Sequence, residues 1–327
     1  MNDQAVPTLR IISADTLRAK VQFGDLIEPV ARAFQESSAK KAQNGVVVMF
    51  PAERPELGDV YVKTGVLSGH PTYIVKVSPW FAANAANGQP QGGFLAVFDS
   101  ATGHTLALLN DEHYLSDIRT AAAGAVAARL FAPSPITTAA VLGSGVQAYR
   151  QPLALYGERP FDNLLVWARS PQKADILKHR LAGVLPNVHI ETAGDLEQVV
   201  RKADVLITAT LSREPLVRGD WLRPGQHITA VGADDPTKCE LDCDALNRSR
   251  IFVDSVDANI KNGDLRRAIE RGQFAATQLA GEIGEVLSGR LIGRTSEADI
   301  TIAKLVGIGA QDLVAAETAL EKIAACA

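Results

Sequence analysis

The chain has 327 residues, 46% of them hydrophobic and 21% charged, and its 33 basic and 37 acidic side chains are scattered along it for a formal net charge of -4. That length points to two lobes rather than one core, the composition excludes a disordered chain, and the lack of a basic stripe argues against nucleic acid as a partner. Met1 to Arg10 is polar where a signal peptide needs an apolar core, and no window offers the roughly 18 apolar residues of a membrane span, so a cytoplasmic protein with no membrane partner is expected.

The first predicted element is a helix over Ala14 to Ser38, with Leu17, Val21, Phe23, Leu26, Val30 and Phe34 at helical spacing. Four strand-like runs follow with turns between them: Val46 to Met49, Val60 to Thr64, Thr72 to Val77 and Gly93 to Asp99. This stretch reads as a mostly antiparallel sheet. Ser116-Asp117 then opens an Ala-rich helix, Ile118 to Phe131, whose small residues permit close packing.

From about Ile136 the pattern changes to short β-branched runs alternating with helical ones. Strands are predicted at Thr137 to Leu142, Asn163 to Ala168, Val188 to Thr192, Asp204 to Thr208, His227 to Val231 and Ile251 to Asp254. Helices are predicted at Val146 to Tyr156, Gln172 to Ala182, Asp195 to Lys202 and Leu265 to Arg271, and a last one lies in Gly307 to Ala327. The fold class is therefore α/β: a Rossmann-like doubly wound parallel sheet over 119–306, plus a second α+β domain made of 1–118 with 307–327.

The strongest local chemistry is Gly143-Ser144-Gly145-Val146-Gln147-Ala148, which joins an apolar strand to a helix. Gly143 permits the tight turn, Gly145 lets the backbone approach a pyrophosphate, and the helix start offers unpaired N–H groups to the anion. A nicotinamide dinucleotide is the expected cofactor. After the second strand of this domain, where an acidic residue would select NAD, the chain reads Trp167-Ala168-Arg169-Ser170. Arg169 and Ser170 suit a 2′-phosphate, so NADP is favoured over NAD, the alternative being that Arg169 is a solvated turn residue.

Four other positions stand out. Arg119, placed in the first helical turn where cations are disfavoured, is expected to meet an anion or else to form a surface salt bridge. Lys76, in the apolar run Thr72 to Val77, reads either as an edge-strand gatekeeper or as a partly buried amine with a lowered pKa. Lys63, in Val60 to Thr64, poses the same choice, with the gatekeeper reading the stronger. Asp234, at the carboxyl end of the fifth strand, is a candidate proton-transfer group, although Asp235 serves equally well as the local cap before Pro236. The cysteines Cys239, Cys243 and Cys326 and the six histidines show no metal spacing, so no metal is expected and the thiols read as structural.

Five motifs together resemble the ornithine cyclodeaminase and mu-crystallin family of NAD(P)-dependent proteins, over nearly the whole chain. They are Ser116-Asp117-Ile118-Arg119-Thr120-Ala121-Ala122-Ala123, the loop from Gly143 to Ala148, Val231-Gly232-Ala233-Asp234, Gly281-Glu282-Ile283-Gly284-Glu285-Val286 and Gly307-Ile308-Gly309-Ala310-Gln311-Asp312. The resemblance implies a homodimer in which the first lobes join their sheets. It also implies that Lys76 engages the substrate carboxylate and assists proton transfer, that Arg119 binds that carboxylate, and that Asp234 acts near the substrate nitrogen. The full cofactor set expected is Thr120, Gly143, Ser144, Gly145, Val146, Gln147, Arg169, Ser170, Thr208, Ala209, Thr210, Val231, Gly232 and Lys304.

Departures from the family bear on the reaction. Cyclodeaminases carry a further arginine ahead of the lysine, whereas Met49-Phe50-Pro51-Ala52-Glu53-Arg54 aligns none, and Asp234 to Leu241 is nearer the reductase members. Lys304-Leu305-Val306-Gly307 replaces a hydroxyl-bearing run that many members place near the nicotinamide. Val62-Lys63-Thr64-Gly65 and Val75-Lys76-Val77-Ser78-Pro79 resemble ectoine-utilisation cyclodeaminase-like proteins. The leading expectation is NADPH-dependent reduction of a small α-imino or cyclic ketimine carboxylate to an α-amino acid. The alternatives are deaminating cyclisation of a diamino acid with recycled NAD, and a non-catalytic NADPH-dependent binder of a small ligand.

Overall fold

The computed structural model describes residues 8–54, 57–89 and 91–325, and the chain divides into two compact units, Met1–Arg119 with Ile308–Ala327, and Thr120–Gly307. Cys326 and most of the amino-terminal stretch judged for a signal peptide lie outside the described residues. No helix among the described residues is long and apolar enough to cross a membrane.

In chain order the first elements are β1 (Arg10–Ser13), α1 (Ala14–Lys20), α2 (Ile27–Ser38), β2 (Ala42–Met49), β3 (Gly58–Leu67), β4 (Thr72–Phe81), α3 (Ala82–Ala86), β5 (Phe94–Asp99), β6 (Thr105–Asn110) and α4 (Tyr114–Phe131). Next come β7 (Ile136–Leu142), α5 (Val146–Glu158), β8 (Phe161–Trp167), α6 (Pro171–Ala182), β9 (His189–Thr192), α7 (Leu196–Lys202), β10 (Val205–Thr208), β11 (His227–Ala230) and α8 (Cys243–Asn247). The chain finishes with β12 (Arg250–Val253), α9 (Val256–Asn259), α10 (Gly263–Glu270), β13 (Gly281–Glu282), α11 (Ile283–Leu287), β14 (Thr301–Lys304) and α12 (Gly309–Ala324).

The first unit holds a six-stranded sheet in the order β1-β6-β5-β4-β3-β2, antiparallel except for β1 beside β6. The single helix expected over Ala14 to Ser38 is two helices separated by a short 3-10 turn at Phe23–Leu26. Asp25 bonds back to the Gln22 N–H and breaks the continuity. Strands β3 and β4 run 10 residues each, longer than predicted, and both lie inside the sheet, so the edge-strand reading of Lys63 and Lys76 is corrected. Helix α12 packs on β2, β3 and β4. Gly65 and Gly309 permit this approach, because a Cβ on Gly65 would stand 2.2 Å from the Gly309 carbonyl oxygen.

The second unit is an eight-stranded sheet in the order β13-β12-β14-β11-β10-β7-β8-β9, parallel throughout. Successive residues of β7 enter different cores: Ala140 and Leu142 pack with Leu206, Ile228 and Leu265, whereas Ala139 and Val141 pack with Leu164, Leu177 and Ile207. Both faces are thus covered, which is why these strands read as continuous apolar runs. Six strands were expected here. β14 enters between β11 and β12, and β13 adds an edge of two residues. The chain winds outward in opposite directions from the neighbouring strands β7 and β10, the switch point at which open α/β sheets take ligands.

Candidate functional site

In the first unit the alternation along β4 places Thr72, Ile74, Lys76 and Ser78 on one buried face, beneath α12. Lys76, 2% exposed, donates from Nζ to Ser116 Oγ at 2.9 Å and to Asp312 Oδ1 at 2.8 Å. Arg119 Nε donates to the same Oδ1 at 2.9 Å, and its Nη1 reaches Gln311 Oε1 at 3.4 Å. The structure thereby brings Lys76 and Arg119 together. Neither a surface salt bridge nor a gatekeeper describes them.

The electrostatics follow from this burial. Desolvation pushes the Asp312 carboxyl up, but Arg119, Lys76 and Lys63 outweigh it and hold it at about 2. Desolvation pulls the Lys76 ammonium below its ordinary value, with Asp312 opposing. Asp111, buried beside Lys76, is pushed up to about 6 because desolvation exceeds the attraction of that lysine. His113, whose Nε2 lies 2.7 Å from the Pro79 carbonyl, is driven to about 4 by burial and by Lys76.

Arg119 is not in a first helical turn as expected. Asp111 starts α4 earlier: its carbonyl accepts from the Tyr114 N–H at 2.8 Å and its Oδ2 from the Leu115 N–H at 3.1 Å. Arg119 sits in the second turn, so buried Asp312 rather than the helix dipole accounts for it. Ser116, read as part of a cap, instead faces Lys76. Sequence reasoning missed Asp111, His113, Ser116, Gln311 and Asp312. The signals available were the motifs that carry Ser116 and Gln311-Asp312, and the place of Asp312 in a stretch of α12, Gly309 to Ala316, that is buried all round.

In the second unit Gly143 has φ +129°, and a Cβ there would stand 2.3 Å from the Ala209 carbonyl oxygen, so only glycine fits the turn. A Cβ on Gly145 would meet nothing within 4 Å, and no side chain caps the start of α5. The loop therefore offers an open surface and the N–H groups of Val146 and its neighbours to an anion, which fits a dinucleotide pyrophosphate. Gln151 Nε2 steadies it, donating to the Thr120 carbonyl at 2.9 Å and to Gln147 Oε1 at 3.2 Å. Arg169 follows β8 and is exposed, while Ser170 Oγ caps α6 by accepting from the Lys173 N–H.

Other members of the expected cofactor set are engaged within the protein. Glu240, fully buried, accepts from Thr208 Oγ1, from Thr210 N and Oγ1, from Gly232 N and from Ala233 N, closing the ends of β10 and β11. Val231 donates its N–H to the Thr208 carbonyl, and Ala209 donates to Leu142. Lys304 is wholly buried, with Nζ 2.6 Å from the Ala233 carbonyl and 3.4 Å from Asp264 Oδ2. Its ammonium braces the loop that carries Asp234. In that loop Asp235 is the local cap, accepting from Thr237 and Lys238 N–H groups, and Asp234, one third exposed, pairs with Lys238 Nζ at 2.7 Å. Burial pushes the Cys239 thiol up to about 12. Among the described residues no group of three or more His, Cys, Asp or Glu side chains is placed to hold a metal ion.

Comparison with known proteins agrees with these two units. The chain is 37% identical over 324 residues to an uncharacterised cyclodeaminase, y4tK, of Sinorhizobium fredii, covering 97% of this chain and 96% of that protein. It superposes on Thermococcus litoralis Δ1-pyrroline-2-carboxylate reductase in complex with NADH and L-proline with a TM-score of 0.89 at 28% identity, covering 96% and 97% of the two chains. An archaeal alanine dehydrogenase dimer with bound NAD gives 0.88 at 26% identity, covering 97% and 96%. The family model described as ornithine cyclodeaminase/mu-crystallin matches residues 10–326, and the chain belongs to that family.

Proposed function

We propose that the protein reduces a small α-imino or cyclic ketimine carboxylate to an α-amino acid with NADPH. The observation that carries the reading is the convergence of Lys76 and Arg119, both buried, on one oxygen of Asp312: a preorganised cationic set matched to a carboxylate. The family relation supports an NAD(P)-dependent oxidoreductase or cyclodeaminase. The phosphate loop would hold the dinucleotide through Gly143, Ser144, Gly145, Val146 and Gln147, and the exposed Arg169, with Ser170 beside it at the start of α6, favours the 2′-phosphate. Bound there, a reduced nicotinamide supplies the hydride.

The chain's own groups supply the rest. An ammonium has three N–H bonds, and Lys76 spends one on Ser116 and one on Asp312, leaving one for the substrate. Arg119 keeps its position through Nε on Asp312 and turns its remaining donors to the carboxylate. Asp312, held ionised, opposes the desolvation that pulls the Lys76 ammonium below its ordinary value. Asp234, held in place by its pair with Lys238 Nζ, handles the proton on the substrate nitrogen.

A second reading, deaminating cyclisation of a diamino acid with recycled NAD, is favoured by the similarity to the Sinorhizobium cyclodeaminase. One experiment separates them. The protein is mixed with NADPH or NADH and Δ1-pyrroline- or Δ1-piperideine-2-carboxylate, and absorbance at the nicotinamide band is followed. Oxidation supports the reductase. Ammonia from ornithine or diaminobutyrate with no net change in cofactor supports the cyclodeaminase, and silence in both overturns the two readings.

We further propose a homodimer formed through the sheet face of the first unit that α12 does not cover. Cross-strand register builds apolar rows there, Val47-Val62-Val77-Phe94 and Ile11-Leu108-Ala96-Val75, and Val47 and Ile11 are 58% and 72% exposed. An apolar face of that extent is characteristic of an interface.

A further inference from the structure

Lys63 has no part in the chemistry above, yet its place in the sheet is unusual. It pairs with Lys76 in the antiparallel register of β3 and β4, and directly opposed residues of such a pair project to one face with Cβ atoms about 5 Å apart. Both lysines are buried, Lys63 at 5% exposure. Like charges so opposed destabilise a sheet, and the repulsion grows away from water. The side chain is nonetheless kept on this face, its ammonium 5.7 Å from the Tyr61 ring centroid.

The surroundings explain what such an arrangement is for. Lys63, Lys76 and Arg119 all act on the Asp312 carboxylate, and its Oδ1 is already shared by two of them. Beside this cluster two buried polar atoms lack a hydrogen-bond partner among the described residues: Gln311 Nε2, a donor, and Asp312 Oδ2, an acceptor. Buried polar atoms are almost always paired, so these two mark unspent capacity for a ligand. A ligand with a carboxylate beside an N–H matches both, its oxygen taking the Gln311 donor and its nitrogen facing Asp312.

We propose that Lys63 is a third substrate-binding cation, which meets the carboxylate that Arg119 and Lys76 also engage and sets affinity for the anion rather than the rate of proton transfer. The assignment rests on the carboxylate-binding reading of Lys76 and Arg119. It makes the strand pair β3–β4, and not β4 alone, the wall of the anion site.

The test is calorimetric titration of the full chain, with NADP+ and NAD+ in excess, using pyrrole-2-carboxylate, a planar ring carboxylate that accepts no hydride. Losing one charge-assisted contact weakens binding by about 10- to 100-fold, so Lys63→Met should show that loss while Lys63→Arg stays close to wild type. Lys63→Gln reports the same loss of charge if Lys63→Met fails to fold. With whichever imine turns over, KM should rise and kcat should stay. Equal affinity in Lys63→Met and wild type, or no binding by wild type, overturns the assignment. Lys63-dependent binding without turnover of any imine would remove the reductase reading and leave the assignment standing; imine reduction with KM unchanged in Lys63→Met would do the reverse.

Discussion

Lys76 Nζ donates to Asp312 Oδ1 at 2.8 Å, joining side chains 236 positions apart in the chain, both nearly inaccessible to solvent. Removing one partner of a buried ion pair leaves an uncompensated charge, which costs about 3–5 kcal/mol. Asp312→Asn should therefore lower the melting temperature clearly and abolish turnover, because two cations lose their shared acceptor. Lys76→Ala should fold better than Asp312→Asn and reduce turnover by about 100-fold or more if the lysine moves a proton. Activity retained in Lys76→Ala would remove it from the chemistry.

The acid limb of stability should bear the mark of Asp312. Its folded pKa of about 2 lies below the 3.8 of an unperturbed aspartate, so its contribution is present above pH 3.8 and disappears as pH falls through 2. Asp111 works in the opposite sense. Raised to about 6, it costs stability that accrues as pH rises from 3.8 to 6 and is then constant. Asp111→Asn should thus gain on wild type across that window, by about 2–3 kcal/mol at neutral pH. Urea titrations at pH 4 and pH 7 check this; equal differences at the two pH values would refute it.

Cofactor preference should follow Arg169. Arg169→Asp replaces an exposed cation after β8 with a carboxylate that repels a 2′-phosphate and accepts from a ribose hydroxyl. The ratio of kcat/KM for NADPH over NADH should fall by about tenfold or more, as expected for one lost charge-assisted contact. An unaltered ratio would show that Arg169 does not meet the phosphate.

Asp234→Asn should lower turnover by about 100-fold with little change in melting temperature, since the carboxylate is partly exposed and Asp235 performs the local capping. The informative comparison is Asp235→Asn. It should destabilise the loop, and an equal loss of rate in the two variants would assign Asp234 a structural role.

Val62→Glu should convert a dimer to a monomer in sedimentation experiments. Val62 lies between Val47 and Val77 in one cross-strand row, on the face away from α12, and burying an unpaired carboxylate in an apolar interface costs several kcal/mol. A dimer that survives both Val62→Glu and Val77→Glu would place the interface elsewhere.

What was legible in the sequence was what is local in the chain. The phosphate loop needs only a strand, two glycines and a helix start in succession, and the turn at Gly143 is dictated by one residue's backbone freedom, so a dozen neighbouring residues specify it. The alternation of short apolar strands with helices was equally plain, because a sheet covered on both faces needs apolar residues at every position. The four-residue β14 and the two-residue β13 carry too little pattern to be seen, and β14 enters the middle of the sheet only through its pairing with β11 and β12.

The anion cluster was decided by tertiary structure. Lys63, Lys76, Arg119 and Asp312 come from four separate elements; three of them stood out in the sequence and Asp312 did not, because no local pattern states which side chains face one another across a fold. Asp312 reaches Lys76 because Gly65 and Gly309 let α12 approach the β3 backbone more closely than any side chain would allow. Lys63 came to oppose Lys76 through the register of a hairpin, where a slip of one residue would have turned it to the other face. Periodicity states which residues share a face; only packing and register state which charges must live beside one another.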